Sequence, residues 1–325
     1  MHSGLIDLAS ELIGGVALSA SDEFFASKEN LLKATAPIFM PDRYTDRGKW
    51  MDGWESRRKR TPGHDWCVIR LGFPGIVRTI DVDTSHFLGN YPEHCSLDAA
   101  CVSDRDLAER DWKPVLGKVR LEGGSHNIFD VEQSGCVTHV RLNIFPDGGV
   151  ARLRVYGEVV PDIGKLRAAA EPVDLASISN GGRVVGSSDQ FFGHQHNLIL
   201  PGRPQNMSGG WETRRRRGPG YDWIMVRLGA RAAIHHVSVE TEHYKGNYPD
   251  RCSIDACDAP NALTEDLVIG KISWCEILRE SKLDADAVRR FEKELSAAQP
   301  ATHVRLNIYP DGGISRLRVF GKIVE

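Results

Sequence analysis

Hydrophobic positions in this chain alternate far more often than they recur at helical spacing. Over residues 138–145, Val140, Leu142 and Ile144 fall on one side of an extended backbone. His139, Arg141 and Asn143 fall on the other, the period of two that marks a strand with one core face and one polar face. Pro146-Asp147-Gly148-Gly149 then supplies turn residues, and Leu153 and Val155 alternate with Arg152 and Arg154, which predicts a hairpin. Residues 82–87 and 95–99 alternate in the same way about a Gly89-Asn90-Tyr91-Pro92 loop. Short strands punctuated by turns at this spacing point to antiparallel sandwiches rather than a parallel sheet with crossover helices. Residues 284–298 are the exception: Asp284 suits a helix cap, and Val288, Phe291 and Leu295 form a helical stripe in a stretch rich in Ala, Glu, Lys and Arg.

The whole pattern occurs twice. GWESRRKRTPGHDWCVIRLG, starting at Gly53, returns as GWETRRRRGPGYDWIMVRLG, starting at Gly210, with 13 of 20 positions identical. VDTSHFLGNYPEHCSLDA from Val82 returns as VETEHYKGNYPDRCSIDA from Val239, and THVRLNIFPDGGVARLRVYG from Thr138 returns as THVRLNIYPDGGISRLRVFG from Thr302. A weaker match pairs Ser21-Asp22-Glu23-Phe24-Phe25 with Ser188-Asp189-Gln190-Phe191-Phe192. The first copy is about ten residues longer before its GWE block, around Met40 to Lys49. A unit of this length is a domain rather than a solenoid repeat. The expected organisation is therefore a first domain over 1–160, an alanine- and charge-rich linker over 161–173, and a second domain over 174–325.

Charge narrows the possible partners. The 41 basic and 44 acidic residues leave a net charge of −3, which argues against nucleic acid or an anionic membrane surface and favours a small ligand. No apolar run reaches membrane-spanning length, and residues 1–10 do not read as an export signal. The seven cysteines are odd in number and show no CxxC spacing, so reduced thiols and a cytoplasmic location are expected.

Candidate chemistry concentrates in four duplicated clusters. Trp54-Glu55 precedes Arg57-Arg58-Lys59-Arg60, and Trp211-Glu212 precedes Arg214 to Arg217. In an extended segment two of the four cations face one way, where guanidinium groups can bind a carboxylate; the alternative is a solvated face. Thr84-x-His86 with Asn90-Tyr91, and Thr241-x-His243 with Asn247-Tyr248, offer a proton carrier and an amide partner, or a merely hydrogen-bonded strand end. Asp65-Trp66 and Asp222-Trp223 suit orientation of the neighbouring cations and core filling. His139, Arg141, Asn143 and Asp147, with His303, Arg305, Asn307 and Asp311, read mainly as a polar sheet face and a turn. His194-x-His196 and His235-His236 could bind zinc, but neither pair has a third ligand at a diagnostic spacing and neither recurs in the first copy, so no metal ligand is assigned.

The blocks GWE[S/T]RR, PGxDW, TxHxxGNYP and THVRLNI[F/Y]PDGGxxRLRV together resemble the allantoicase family over nearly the whole chain. That resemblance implies an all-β fold, a tandem pair of jelly-roll sandwiches of the galactose-binding or discoidin-like kind; the short helix expected over 284–298 is an insertion in the second. It implies hydrolysis of allantoate to (S)-ureidoglycolate and urea in allantoin and purine degradation, without membrane or nucleic-acid partners; a homo-oligomer is expected. Allantoate carries a carboxylate and two ureido groups. The matching expectation places Arg57 or Arg58 (Arg214 or Arg215) on the carboxylate, Asn90 and Tyr91 (Asn247 and Tyr248) on a ureido group, and Glu55 with His86 (Glu212 with His243) on water and protons. No cofactor is required, and an activating divalent metal is left open. Two sites per chain and one composite site both fit. A non-catalytic sandwich that binds a small ligand or carbohydrate is the rival, and fold alone does not exclude it.

Overall fold

The computed structural model describes residues 4–103, 107–131, 134–296 and 300–324. It divides into two compact units, Gly4–Val160 and Pro161–Glu325. Each is built on one long strand that serves both layers of a β-sandwich.

In the first unit that strand is Asp65–Asp83. Its first half is flanked by Val16–Ala20 and Cys136–Phe145, its second half by Arg152–Val159 and His126–Asp130, and every pairing is antiparallel. His94–Ala100 and Lys113–Arg120 extend the sheet beyond Cys136–Phe145, and Ile6–Asp7 extends it beyond Arg152–Val159. The second unit repeats this order around Asp222–Glu240, flanked by Arg183–Ser187, Ala301–Tyr309, Arg316–Ile323 and Val288–Phe291. Alternation is borne out in burial: Val140, Leu142 and Ile144 are completely enclosed, as are their counterparts Val304, Leu306 and Ile308. Trp54 and Trp211 are also fully enclosed.

Three expectations change. Cys136–Phe145 and Arg152–Val159 are not hairpin partners, because each pairs with a different half of Asp65–Asp83 and the Pro146–Gly149 turn carries the chain from one half to the other. Alternation identifies faces, but it does not identify neighbours. Residues 284–296 form no helix; Val288–Phe291 is a strand paired with Glu240–Val237, and residues 297 and 298 of the expected helix lie outside the described residues. Edge pairing satisfies those backbone groups while placing Phe291 in the core and Val288 in solvent, the opposite-face arrangement of a strand. The second unit's short helix is instead Thr264–Val268. Finally, the polar face of 136–145 is largely covered, with His139 and Asn143 buried.

A further short helix, Ile163–Ala168, lies near the start of the second unit. Among the described residues, no helix is long and apolar enough to cross a membrane.

Candidate active site

Glu55 is held by its backbone. The two-residue strand Trp54–Glu55 pairs with Gly149–Val150 on one side, and Glu55 bridges Ala26 on the other. The same Pro146–Gly149 turn also holds the asparagine loop, since the Gly149 amide donates to the Asn90 carbonyl at 2.8 Å. Only glycine fits: a Cβ on Gly149 would lie 2.0 Å from the Phe87 ring, and one on Gly148, at φ +136°, would lie 2.7 Å from the Asn90 carbonyl oxygen. With both segments fixed to one turn, Asn90 Nδ2 donates to Glu55 Oε1 at 2.7 Å. Asn247 makes the same bond to Glu212 in the second unit.

His86 sits in a tight corner between two buried anchors. The Thr84 hydroxyl, fully enclosed, donates to the carbonyl of Ser125 at 3.0 Å and Phe87 fills the core behind it. His86 between them adopts φ +71°, and His243 adopts the same value. A left-handed histidine costs roughly 1–2 kcal/mol relative to ordinary backbone, and its recurrence in both copies marks these corners as strained positions. His86 Nε2 donates to the Pro37 carbonyl at 3.2 Å, and His243 Nε2 to that of Pro204 at 3.0 Å. A carbonyl only accepts, so Nε2 carries the proton and Nδ1 is the atom left to exchange one.

Glu55, His86 and Asn90 converge on one cavity of about 310 Å³, near the lower end of small-ligand sites at roughly 300–1,000 Å³. Phe25, Phe39, Met51 and Leu88 give it an apolar wall, and Lys49 supplies a cation. Phe39 stacks on His86 with ring centroids 5.6 Å apart, and Lys49 Nζ lies 4.5 Å from the Phe39 centroid. Burial raises the Glu55 carboxyl above its ordinary range, and the Asn90 bond partly opposes that rise by favouring the ionised form.

The basic run does not line this cavity. Arg57 is committed to Asp22, with its Nε 2.8 Å from Oδ2, and lies over the Phe24 ring; Lys59 Nζ is 2.7 Å from Asp65 Oδ1. Arg214 and Arg216 make the equivalent pairs with Asp189 and Asp222. Arg58 and Arg215 point to solvent. Tyr91 packs on Met51, Phe87 and Ala151 rather than on the cavity, and Tyr248 is half-buried. On the sheet face, Asp98 accepts from both Arg141 (3.0 Å) and Asn143 (2.9 Å), and Asp255 serves Arg305 and Asn307 alike. Arg141 and Arg305 are thereby committed to carboxylates on the same sheet face. His194 and His196 pack edge to face, and burial drives His196 down to about 4, which keeps it neutral.

The chain as a whole matches known proteins over nearly its full length. The model of the allantoicase repeat matches twice, over residues 6–160 and 173–324. A protein named probable allantoicase 1 from Burkholderia mallei is 49% identical over 320 residues, covering 98% of this chain and 94% of its own. The chain belongs to the allantoicase family. A probable allantoicase from Acinetobacter baylyi is 44% identical over 324 residues, covering 100% of this chain and 96% of its own. The crystal structure of allantoicase from Saccharomyces cerevisiae superposes with a TM-score of 0.83 at 34% identity, covering 98% of this chain and 93% of that one. The likeness extends through both sandwiches.

Within this allantoicase repeat, sequence reasoning missed Phe39 and Lys49. The signal was present as the extra length of the first copy, which folds as a small hairpin, Tyr44–Thr45 with Gly48–Lys49. The second copy has no such hairpin among its described residues. Its Asn206 stands where Phe39 does, two residues after the carbonyl that receives the histidine, while Lys245 replaces Leu88.

Proposed function

We propose that this chain hydrolyses allantoate to (S)-ureidoglycolate and urea, and that the cavity of the first unit is the principal site. The observation that carries the reading is the convergence of Lys49, Glu55 and the His86–Asn90 loop, three separate segments, on one small cavity with an apolar wall.

The chemistry assigns each group a task. Lys49 attracts the substrate carboxylate, and Asn90, whose amide already bonds Glu55, offers its remaining polar capacity to a ureido group. Glu55, a stronger base for being buried, removes a proton from water as the water oxygen bonds to the central carbon. The carbon–nitrogen bond breaks, and His86 in its protonated form delivers a proton from Nδ1 to the departing nitrogen, releasing neutral urea. The proton taken by Glu55 balances the one given by His86. The Pro37 carbonyl keeps Nε2–H engaged in both charge states, so the ring orientation does not change. Arg57 serves the fold in this reading through its pairing with Asp22, and Arg58 is left to solvent. A cytoplasmic location and a homo-oligomeric state are part of the proposal; the first rests on the odd cysteine count.

The test is product analysis with purified protein: urea and ureidoglycolate should appear in equal amounts from allantoate. Glu55→Gln should lower kcat by roughly 10²- to 10⁴-fold, the usual worth of a positioned acid or base, while Glu212→Gln retains most of it. A non-catalytic ligand-binding protein would yield neither product. Equal losses in the two variants would place the reaction in both units.

A further inference from the structure

We propose that the second unit carries a divalent transition-metal site formed by His235, His236 and Glu292, separate from the site of hydrolysis. Successive residues of a regular strand point to opposite faces, so an adjacent histidine pair does not normally share a ligand. Here the register of Asp222–Glu240 against Arg316–Ile323 shifts between Ile234 and His236. This bulge brings the two imidazoles together, with Nδ1 of one 3.1 Å from Nδ1 of the other. The His236 ring is braced by stacking on Phe320, centroids 4.4 Å apart and planes 11° from parallel.

The third ligand comes from distant sequence. Val288–Phe291 pairs with the same long strand, and Glu292, the next residue, places Oε1 3.8 Å from His235 Nδ1. The three ligand atoms lie within 4.8 Å of one another. Ligand atoms of a tetrahedral ion with bonds of about 2.0–2.1 Å are roughly 3.3–3.4 Å apart, so closure requires only small side-chain movement. Arg290 Nη2 holds the other carboxylate oxygen, Oε2, at 2.8 Å, leaving Oε1 for an ion. Two imidazoles, one carboxylate and an open, exposed fourth position suit Zn²⁺, Co²⁺ or Ni²⁺ rather than Ca²⁺ or Mg²⁺.

The first unit serves as an internal control. The strand registers Val237↔Phe291 and Ile80↔Phe129 make Arg78, Thr79 and Asp130 the equivalents of the three ligands. There Arg78 pairs with Glu158 at 3.0 Å and Thr79 Oγ1 donates to Asp130 Oδ1 at 3.2 Å, an arrangement with no imidazole. The second unit's ion would clasp Val288–Phe291 to the long strand.

The experiment is a titration of metal-free full-length protein with Zn²⁺ and Co²⁺ by calorimetry, with the visible absorption of bound Co²⁺ as a second reading. The parent should bind one ion per chain more than the His235→Ala/His236→Ala double variant. Glu292→Gln, a conservative exposed change, should weaken that ion by at least about tenfold, since even an outer partner of a metal ligand is worth about 10–100-fold. Zn²⁺ should raise the parent's Tm and leave the double variant's unchanged, because only the folded parent holds the ligands together. Equal stoichiometry in parent and double variant, or no binding by either, overturns the proposal. Allantoate turnover plays no part in the reading, so the outcome is independent of the proposed hydrolysis.

Discussion

Asn90 donates to Glu55 through a 2.7 Å hydrogen bond, and this single contact opposes the burial that raises the Glu55 carboxyl. If Glu55 acts as the base, kcat/KM falls as pH drops through its raised pKa, so the acid limb lies above the ordinary carboxylate range. Asn90→Ala removes the donor that favours the ionised form and should move this limb to still higher pH. The full pH profile of the variant checks the sign; a limb that moves downward rejects Glu55 as the titrating base.

His86 and His243 share a left-handed backbone, so alanine substitutions would mix strain with chemistry. Asparagine tolerates positive φ better than other side chains. His86→Asn should therefore keep the parental Tm while lowering kcat by roughly 10²- to 10⁴-fold. His243→Asn should retain most of the activity. A steady-state comparison of the two decides whether the first unit dominates.

Lys49 and Arg57 make opposite predictions. A charge-assisted bond to a carboxylate is worth about 1.5–3 kcal/mol, or roughly 10- to 150-fold in affinity. Lys49→Met should raise KM for allantoate by a factor in that range. Arg57 is engaged with Asp22 at an exposed position, so Arg57→Met should leave KM near its parental value and cost at most about 1 kcal/mol of stability. Reversal of the two KM effects would return the carboxylate to the basic run.

Arg152 ties the segment bearing Phe39 and Lys49 to the sheet. It is 1% exposed, pairs with Asp52 Oδ2 at 2.7 Å and donates to the carbonyls of Thr35, Asp52 and Ala151. Removing one partner of a buried ion pair costs about 3–5 kcal/mol. Arg152→Ala should lower the denaturation midpoint accordingly and raise KM as the hairpin loses its anchor. Arg316, its counterpart, bonds carbonyls of Asn197, Gly202, Gly209 and Ser315, and burial lowers it to about 10.

Gly149→Ala forces a methyl group into the Phe87 ring. Overpacking costs typically about 1–3 kcal/mol, and here it also displaces the strand pair that holds Glu55. Chemical denaturation should show the loss, and Phe87→Leu in the same chain should recover part of it. No recovery would mean that the turn conformation, rather than the ring, demands glycine.

Much of this was legible from residues alone. Duplication, all-β class and the buried positions Val140, Leu142 and Ile144 follow from local repetition and alternation, which need no knowledge of what lies alongside. Glu55, His86 and Asn90 stood out because each kept its identity in the second copy. The false helix over 284–298 arose because Val288 and Phe291 satisfy a helical stripe as readily as they satisfy two faces of a strand; pairing with Asp222–Glu240 decided between them. Arg57 drew attention by its charge, yet Asp22, 35 residues earlier, claims it.

Sequence by itself determined the two-domain plan, the faces of the strands and the residue types available for chemistry, because these are properties of neighbours along the chain. Tertiary structure decided which strands lie side by side, which cation reaches the cavity, and that Glu292 meets His235 and His236. Those outcomes depend on long-range backbone hydrogen bonds and on which buried charges find partners, and no local pattern encodes either.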